Sequence, residues 1–159
     1  MIIPVDQKLI SQVINTAKRS ARRRSNYNFH QPSEAVQRLI NVFCQGTYAP
    51  PHQHSNPDKV ELFIALDGRG VVVEFDDRGK VTRHCVIDSR GPVKACEIQP
   101  GTWHTVIGLS AVDVFYEIIE GPYNPSTHKK FAPWAPKEED QEQAQEYIAK
   151  ILKEFKKNL

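Results

Sequence analysis

Seven short segments rich in β-branched and aromatic residues fill the middle of the chain, and they constrain the fold more than any other feature. Gly-containing turn sequences separate several of these segments, and no helical pattern alternates with them. This pattern argues against a doubly wound α/β fold and predicts an antiparallel β-sandwich or small barrel. The predicted strands span residues 37–44, 60–66, 70–75, 81–87, 94–98, 104–109 and 112–119.

Helical patterns flank this region on both sides. Residues 6–20 carry apolar side chains on one stripe, among them Leu9, Val13 and Ala17. A second amphipathic pattern runs up to Phe155, and it is acidic at its start and basic at its end, as the helix dipole favours. Both patterns predict helices that pack an apolar stripe on the barrel or on a second subunit.

Less regular segments connect the helices to the strands. Residues 25–32 are expected to be irregular or extended, and residues 121–136 form a Pro-rich connector. The expected organisation is an N-terminal helix and extended arm at residues 1–30, a barrel with its connector at residues 31–136, and a C-terminal helix at residues 137–159.

The composition of the 159-residue chain suits one folded domain. A net charge of +2 is too small to indicate nucleic-acid binding, and no apolar run approaches the roughly 18 residues that span a bilayer. The N-terminus places apolar residues before any basic one, unlike a secretory signal, so we expect a cytoplasmic protein without a membrane partner. The three cysteines are far apart and form no CxxC pair, which argues against a disulfide framework.

A basic cluster follows the first predicted helix. It contains Lys18, Arg19, Arg22, Arg23 and Arg24. Such a cluster could bind a phosphate or an anionic sugar, or it could be a solvated helix C-terminus whose cations complement the dipole. The sequence leaves both interpretations open.

Two histidines and one glutamate indicate a metal site. His52 and His54 are two positions apart, so an extended chain projects both imidazoles from one face. Glu61 begins a segment that is apolar on both faces, where an unpaired carboxylate would be costly. A cation held by both histidines would remove that cost, because neutral imidazole is a good ligand for first-row metals.

His104 is the fourth expected ligand. A Pro-Gly turn at residues 100–101 delivers it to the start of the next strand, far from His54 in sequence. Three imidazoles and one carboxylate leave one or two coordination positions open, as in catalytic rather than structural sites. The ligand set does not choose among Fe, Mn, Ni, Co and Zn as the one divalent ion.

These residues resemble the two motifs of the cupin superfamily. Gly46, His52, His54, Glu61 and Gly68 match the first motif, although six residues separate His54 from Glu61 where three or four are usual. The resemblance implies a cupin (jelly-roll) β-sandwich barrel with a metal held by these histidines and glutamate.

Two departures from the motifs bear on the ligands. Asp58 lies at the usual distance from His54 and is a rival to Glu61, which is preferred for its spacing to Gly68 and its place on a strand. In the second motif Gly101 and His104 match, whereas Gln99 and Gly108 stand where the family has Pro and Asn.

A closer resemblance is to the WbuC-type cupin metalloproteins, over roughly residues 20–139. It includes residues 26–30, 37–38, 46–54, 101–105, 120–123 and 130–136. Members occur in bacterial polysaccharide (O-antigen) gene clusters among other settings, and their reaction is not established. The resemblance implies fold and metal more firmly than activity, and cupins often form dimers, so a homodimer is expected.

The expected function is that of a metalloenzyme acting on a small polar substrate, such as a sugar or sugar derivative. The catalytic candidates are Tyr48 and His30, and the substrate-binding candidates are Asn28, Arg38 and Arg83. The alternatives are a non-catalytic ligand-binding or regulatory cupin, an iron-dependent dioxygenase, a structural metal site, and a sugar-nucleotide epimerase that works without metal.

Overall fold

Ten strands and two helices make up the fold in a computed structural model that describes residues 1–156. Helix α1 spans Gln7–Arg19 and α2 spans Gln141–Lys156. The strands are β1 (Arg24–Asn28), β2 (Val36–Cys44), β3 (His52–Gln53), β4 (Glu61–Asp67), β5 (Arg69–Phe75), β6 (Val81–Asp88), β7 (Ala95–Ile98), β8 (Trp103–Gly108), β9 (Val112–Glu120) and β10 (Lys130–Phe131).

The strands form two antiparallel five-stranded sheets that face each other. The first sheet has the order β1-β2-β9-β4-β7, and the second has the order β10-β3-β8-β5-β6. Neighbouring strands in each sheet are mostly distant in sequence, so the chain crosses repeatedly between the two sheets. This architecture confirms the predicted cupin-type β-sandwich.

Three apolar layers hold the sandwich together. Side chains of the two sheets, including Phe63, Val106 and Phe115, meet in the interior. Helix α1 covers the outer face of the first sheet with Val13 and Ala17. Because side chains alternate across a strand, the inner face of each sheet is free to line an interior site while the outer face packs on a helix.

Helix α2 covers the outer face of the second sheet. Ala144, Ile148, Ile151 and Phe155 are buried there against residues of β5 and β8. Of the two partners expected for this apolar stripe, the barrel of the same chain is the one it contacts. The helix therefore adds an outer layer to the second sheet, as α1 does to the first.

The seven predicted strands are confirmed to within one or two residues at their ends, and the predicted helices are confirmed as α1 and α2. Three strands were not predicted. The polar segment β1 lies in the expected arm and pairs along its whole length with β2. The two-residue strands β3 and β10 pair with each other, and they are too short to have a sequence pattern. The three-part division of the chain remains a prediction.

The helices and the cysteines each bear on an expectation from the sequence. Neither helix of residues 1–156 has the length and apolar character needed to cross a bilayer. Cys44, Cys85 and Cys96 are free thiols.

Candidate metal centre

The two histidine motifs lie side by side in the second sheet. His52 on β3 is directly opposite His104 on β8. The turn before β8 is tied to the first motif, since the Gly101 N–H donates to the His54 carbonyl at 3.0 Å. Gly101 has φ +73°, a left-handed conformation that glycine adopts without strain. The turn thus brings together histidines that are about 50 residues apart in sequence.

Glu61 reaches the histidines from the opposite sheet. It opens β4 with only 1 % of its surface exposed. One ligand atom from each of His52, His54, Glu61 and His104 lies within 4.8 Å of the others, and all four residues are buried. Asp58, the rival carboxylate, is exposed and outside this group. The cluster therefore joins the two sheets of the sandwich at one point.

Backbone carbonyls orient all three imidazoles. The Nδ1 atom of His52 lies 3.0 Å from the Pro50 carbonyl, and that of His104 lies 2.9 Å from the Thr102 carbonyl. His54 Nδ1 lies 2.5 Å from the His128 carbonyl. A carbonyl only accepts, so each neutral ring donates its proton from Nδ1. The lone pair of each ring is then on Nε2, which is the arrangement that acceptors behind the ring impose on metal-binding histidines.

The four inward-facing atoms have no hydrogen-bond partner among the described residues. The Nε2 atoms of all three histidines and Oε2 of Glu61 are buried and unsatisfied. Glu61 Oε2 lies 2.9 Å from His104 Nε2 and 3.3 Å from His54 Nε2. These short distances bring acceptor to acceptor when Nδ1 carries the proton, so they are not hydrogen bonds. A divalent cation at the centre satisfies all four atoms, and the residues present fit a metal.

The ionisation states also suit metal binding. Burial, with the nearby Lys129 and His104, holds the pKa of His52 well below its usual value, so this ring is neutral at physiological pH. A cation at the centre would keep the Glu61 carboxyl ionised, because a nearby positive charge favours the charged form of a carboxyl group. Neutral imidazole and ionised carboxylate are the forms that coordinate a metal.

A second buried carboxyl, Glu117, lies beside the cluster. It is 6 % exposed and accepts a hydrogen bond of 2.8 Å from Asn41 Nδ2. Burial and the neighbouring Glu61 raise the pKa of Glu117 to about 8. Neither Glu117 nor Asn41 was predicted from the sequence as a site residue. A charged side chain at an inward position of β9 was the available signal, because Phe115 and Ile119 mark the buried face on either side of it.

The cluster opens into a cavity of about 420 Å³. Strands β2 and β9 form one wall, with Asn41 and Glu117 among the lining residues. The connector after β9 forms another wall and contributes His128 and Lys129. His128 also supplies the carbonyl that orients His54, so the connector takes part in both the cavity and the metal centre.

Of the five other candidates, two lie at the cavity. His30 and Asn28 line it, and His30 Nδ1 accepts from the Arg38 N–H at 2.7 Å. Arg38 itself is not among the lining residues, and its guanidinium pairs with Glu34. Its role as a substrate ligand is therefore not supported by its position.

Tyr48 and Arg83 lie elsewhere. Tyr48 is buried against α2, and its hydroxyl donates to the Pro136 carbonyl at 2.9 Å. Arg83 lies on β6 with its side chain exposed, and neither residue is among those that line the cavity. In a regular strand, Tyr48 and His52 would point to the same face because they are four positions apart. The chain between them is not a regular strand, and Tyr48 does not face the cavity.

Part of the basic cluster lies at the cavity. Arg22 and Arg24 line it, and both pair with Glu138, at 2.6 Å and 2.7 Å. Arg24 also donates to the Tyr48 carbonyl at 2.6 Å. These two arginines thus attach the N-terminal segment to the segment that precedes α2, and their charges are already balanced in part by a carboxylate.

The fold and the cluster together define a two-sheet antiparallel β-sandwich with a candidate metal centre between its sheets. Residues 5–87 match the family described as a domain of unknown function (DUF6016), and since this is just over half of the chain, the chain belongs to that family. No protein of curated function matches the sequence.

Solved structures support the fold assignment. The capsular polysaccharide assembling protein CapF from Staphylococcus aureus aligns with a TM-score of 0.58 at 18 % identity, over 67 % of this chain and 31 % of that one. The chain therefore spans less than a third of CapF. The protein TT1209 from Thermus thermophilus aligns with a TM-score of 0.56 at 18 % identity, over 76 % of this chain and 97 % of that one. At such identities the likeness shows the fold alone.

Proposed function

We propose that this protein is a metal-dependent cupin enzyme that acts on a small polar substrate bound in the cavity. The observation that carries the proposal is the convergence of three Nε2 atoms and one carboxylate oxygen at one point, all buried and without a hydrogen-bond partner in the described chain. Burying four such acceptors without a cation would be costly. His52, His54, Glu61 and His104 would hold one divalent ion.

The ion would polarise a bound oxygen or lower the pKa of a bound water. The protein side chains have separate tasks. Backbone carbonyls keep the three imidazoles in the tautomer that presents Nε2. Glu117, held by Asn41, places a second carboxyl at the cavity wall, where it can hydrogen-bond a ligand without coordinating the ion.

More specifically, we propose that the protein is a WbuC-type cupin that works in bacterial polysaccharide metabolism. The motifs around residues 46–54 and 101–105 support it, as does the fold shared with CapF, a capsular polysaccharide assembling protein. The cavity also suits this assignment, because polar groups such as Asn28, Asn41 and His30 line it. A sugar or sugar derivative is the substrate class that fits such a lining.

The metal centre can be tested by elemental analysis of the purified protein. We expect close to one first-row metal ion per chain in the wild type, and less than a tenth of that in His52→Ala, because one of four ligands is removed. His84→Ala is the matched control. His84 is a histidine on β6 that stacks on Phe155 with ring centroids 4.4 Å apart, outside the cluster, and its loss should leave the metal content unchanged.

A wild-type protein that binds no Fe, Mn, Ni, Co or Zn after reconstitution would contradict the proposal. Equal metal content in His52→Ala and the wild type would contradict the assigned ligands. Catalysis is tested separately from metal binding, by measuring turnover of a sugar panel with each reconstituted metal, with and without oxygen. A ligand that binds tightly and is never converted would favour a binding protein instead.

A further inference from the structure

One cation at the cavity, Lys129, has no carboxylate partner within residues 1–156. Lys129 lines the cavity, and its charge acts on His52, His128 and Glu117. No carboxylate in the described part of the chain forms an ion pair with it, whereas Arg22 and Arg24 at the same cavity both pair with Glu138. With a divalent ion present, the cavity has an excess of positive charge that an anionic ligand would balance.

The wall formed by β2 and β9 offers hydrogen-bonding groups. Glu117 lines the cavity and is already held by Asn41. Gln37, only 2 % exposed, also lines it; the amide Nε2 donates to the Glu34 carbonyl at 2.7 Å, while its Oε1 is buried without a donor from the described residues. An unpaired buried acceptor is costly, so a ligand that brings hydroxyl donors to this wall would be favoured.

The connector also presents two exposed aromatic rings at the cavity. Tyr123 and Phe131 are 43 % and 58 % exposed, and both line the cavity. The Phe131 ring lies 6.3 Å from the His52 ring, and the Tyr123 ring lies 4.8 Å from the His128 ring. Exposed apolar groups beside a polar cavity are typical of ligand-binding surfaces, and a flat ring can pack on the apolar face of a sugar.

We propose that the cavity selects a sugar-like polyol that carries one acidic group. Lys129 pairs with the acidic group, Glu117 and Gln37 hydrogen-bond to hydroxyls, and the two aromatic rings contact the apolar face of the ligand. The inference extends the proposed function by naming the substrate class. Lys129 is thus a specificity-determining residue outside the metal centre, and a carboxylate or a phosphate could serve as the acidic group.

Calorimetric titration of the metal-loaded protein tests this selection with four probes. D-glucuronate and glucose 6-phosphate carry hydroxyls and an acidic group, D-glucose has hydroxyls alone, and cyclohexanecarboxylate has a ring and an acid alone. We expect at least one of the two anionic sugars to bind more tightly than D-glucose and more tightly than cyclohexanecarboxylate. Comparing the affinities of D-glucuronate and glucose 6-phosphate distinguishes a preference for a carboxylate from a preference for a phosphate.

Lys129→Met and Lys130→Met form a matched pair of variants. Lys130 is the next residue, but its Nζ lies 5.5 Å from the centre of the Trp103 ring and it is not among the lining residues. We expect Lys129→Met to weaken binding of the anionic sugar roughly fivefold or more while leaving glucose binding unchanged. Lys130→Met should bind like the wild type, and both variants should keep the metal content of the wild type.

Several outcomes would overturn the inference. These are equal binding of glucose and the anionic sugars, equal binding of cyclohexanecarboxylate and the sugars, no binding of any probe, or equal effects of the two lysine substitutions. Metal analysis distinguishes a failure of the inferred ligand selectivity from a failure of the proposed metal-dependent function. If the wild type binds no metal the proposed function fails, and the same titrations on metal-free protein still decide the role of Lys129.

Discussion

At the scale of single residues, the candidate site depends on the orientation of its three imidazole rings as well as on their proximity. Three backbone carbonyls, those of Pro50, Thr102 and His128, each face an imidazole Nδ1. This leaves the Nε2 atoms of His54 and His104 close to Glu61 Oε2 with no proton between them. Residue types in a sequence predict which ligands are available, whereas their tautomers depend on where the folded backbone places carbonyls: two residues away for His52 and His104, but at the distant His128 for His54.

Two motif glycines are expected to respond differently to the same substitution. Gly101 and Gly68 both have positive φ, so alanine is strained at either position by about 1–2 kcal/mol. A Cβ on Gly101 would meet no atom within 4 Å, but one on Gly68 would clash with the buried Asp113. Gly68→Ala should therefore lower the free energy of unfolding more than Gly101→Ala does, as measured by urea denaturation. Equal losses would contradict a steric role for Gly68.

The turn carboxylate Asp76 is expected to make stability depend on pH. Hydrogen bonds from the Lys80 and Arg78 N–H groups hold its pKa below the usual value in the folded state. Stability from the ionised carboxylate is therefore present above the unfolded pKa and is lost as the pH falls through the lower folded pKa. Asp76→Asn should lower the Tm at pH 7, and the difference should shrink below about pH 4.

Thermal melts from pH 7 to pH 3 measure this difference. Glu146→Gln, which removes an exposed carboxylate from α2, serves as the control and should show a smaller difference at pH 7. A Tm difference between Asp76→Asn and the wild type that grows as the pH falls would contradict this prediction.

At the scale of elements, the long strands and helices were predictable and the short pairings were not. A strand such as β9 is a nine-residue segment dominated by β-branched and aromatic residues, which is a strong local signal. Strand β1 is polar, and it is a strand because its backbone groups pair with β2. Strands β3 and β10 exist only through each other and β8, since two residues have no periodicity. The same pairings place His52 opposite His104.

Helix α2 is expected to stabilise the second sheet strongly. Ile151 is 4 % exposed and packs in the cluster that joins α2 to β5 and β8. Ile151→Ala should reduce the free energy of unfolding by about 2–5 kcal/mol, because it removes buried methyl groups and leaves a cavity. Gln143→Ala, an exposed position of the same helix, should change it by less than about 0.5 kcal/mol in the same denaturation experiment. Similar losses in both would show that α2 is not packed on the sheet.

At the scale of the whole molecule, we expect the fold to persist without a bound ion, because its apolar core is extensive. Three clusters of buried apolar residues lie on and between the two sheets, and the candidate metal ligands belong to none of them. A structural metal is typical of small domains that cannot build such a core. The metal centre joins two sheets that are already held together on their own.

Removal of metal should therefore lower stability without unfolding the chain. After treatment with EDTA we expect the far-UV circular dichroism spectrum to be retained and the Tm to fall by several degrees, because an ion that binds only the folded state stabilises it by mass action. Adding back the ion found in the purified protein should restore the Tm. A spectrum of disordered chain in the metal-free protein would indicate a structural metal instead.

The expected homodimer remains a prediction at this scale. The apolar stripe of α2 is buried within the chain, whereas Ile2 and Ile3 in the N-terminal segment are exposed and could contact a second copy. Sedimentation velocity of the wild type and of a variant with both isoleucines changed to Ser distinguishes a dimer formed through this segment from a monomer.

The sequence by itself determined the sandwich class, the two helices and the group of residues able to bind a metal. These features follow from local periodicity and from ligand spacing, both of which are properties of neighbouring residues. The tertiary structure decided that Glu61 rather than Asp58 faces the histidines, that Glu117 and Lys129 share their cavity, and that Tyr48 packs under α2 instead. Those outcomes depend on strand register and on packing between elements far apart in sequence, and no local pattern encodes which inward positions meet.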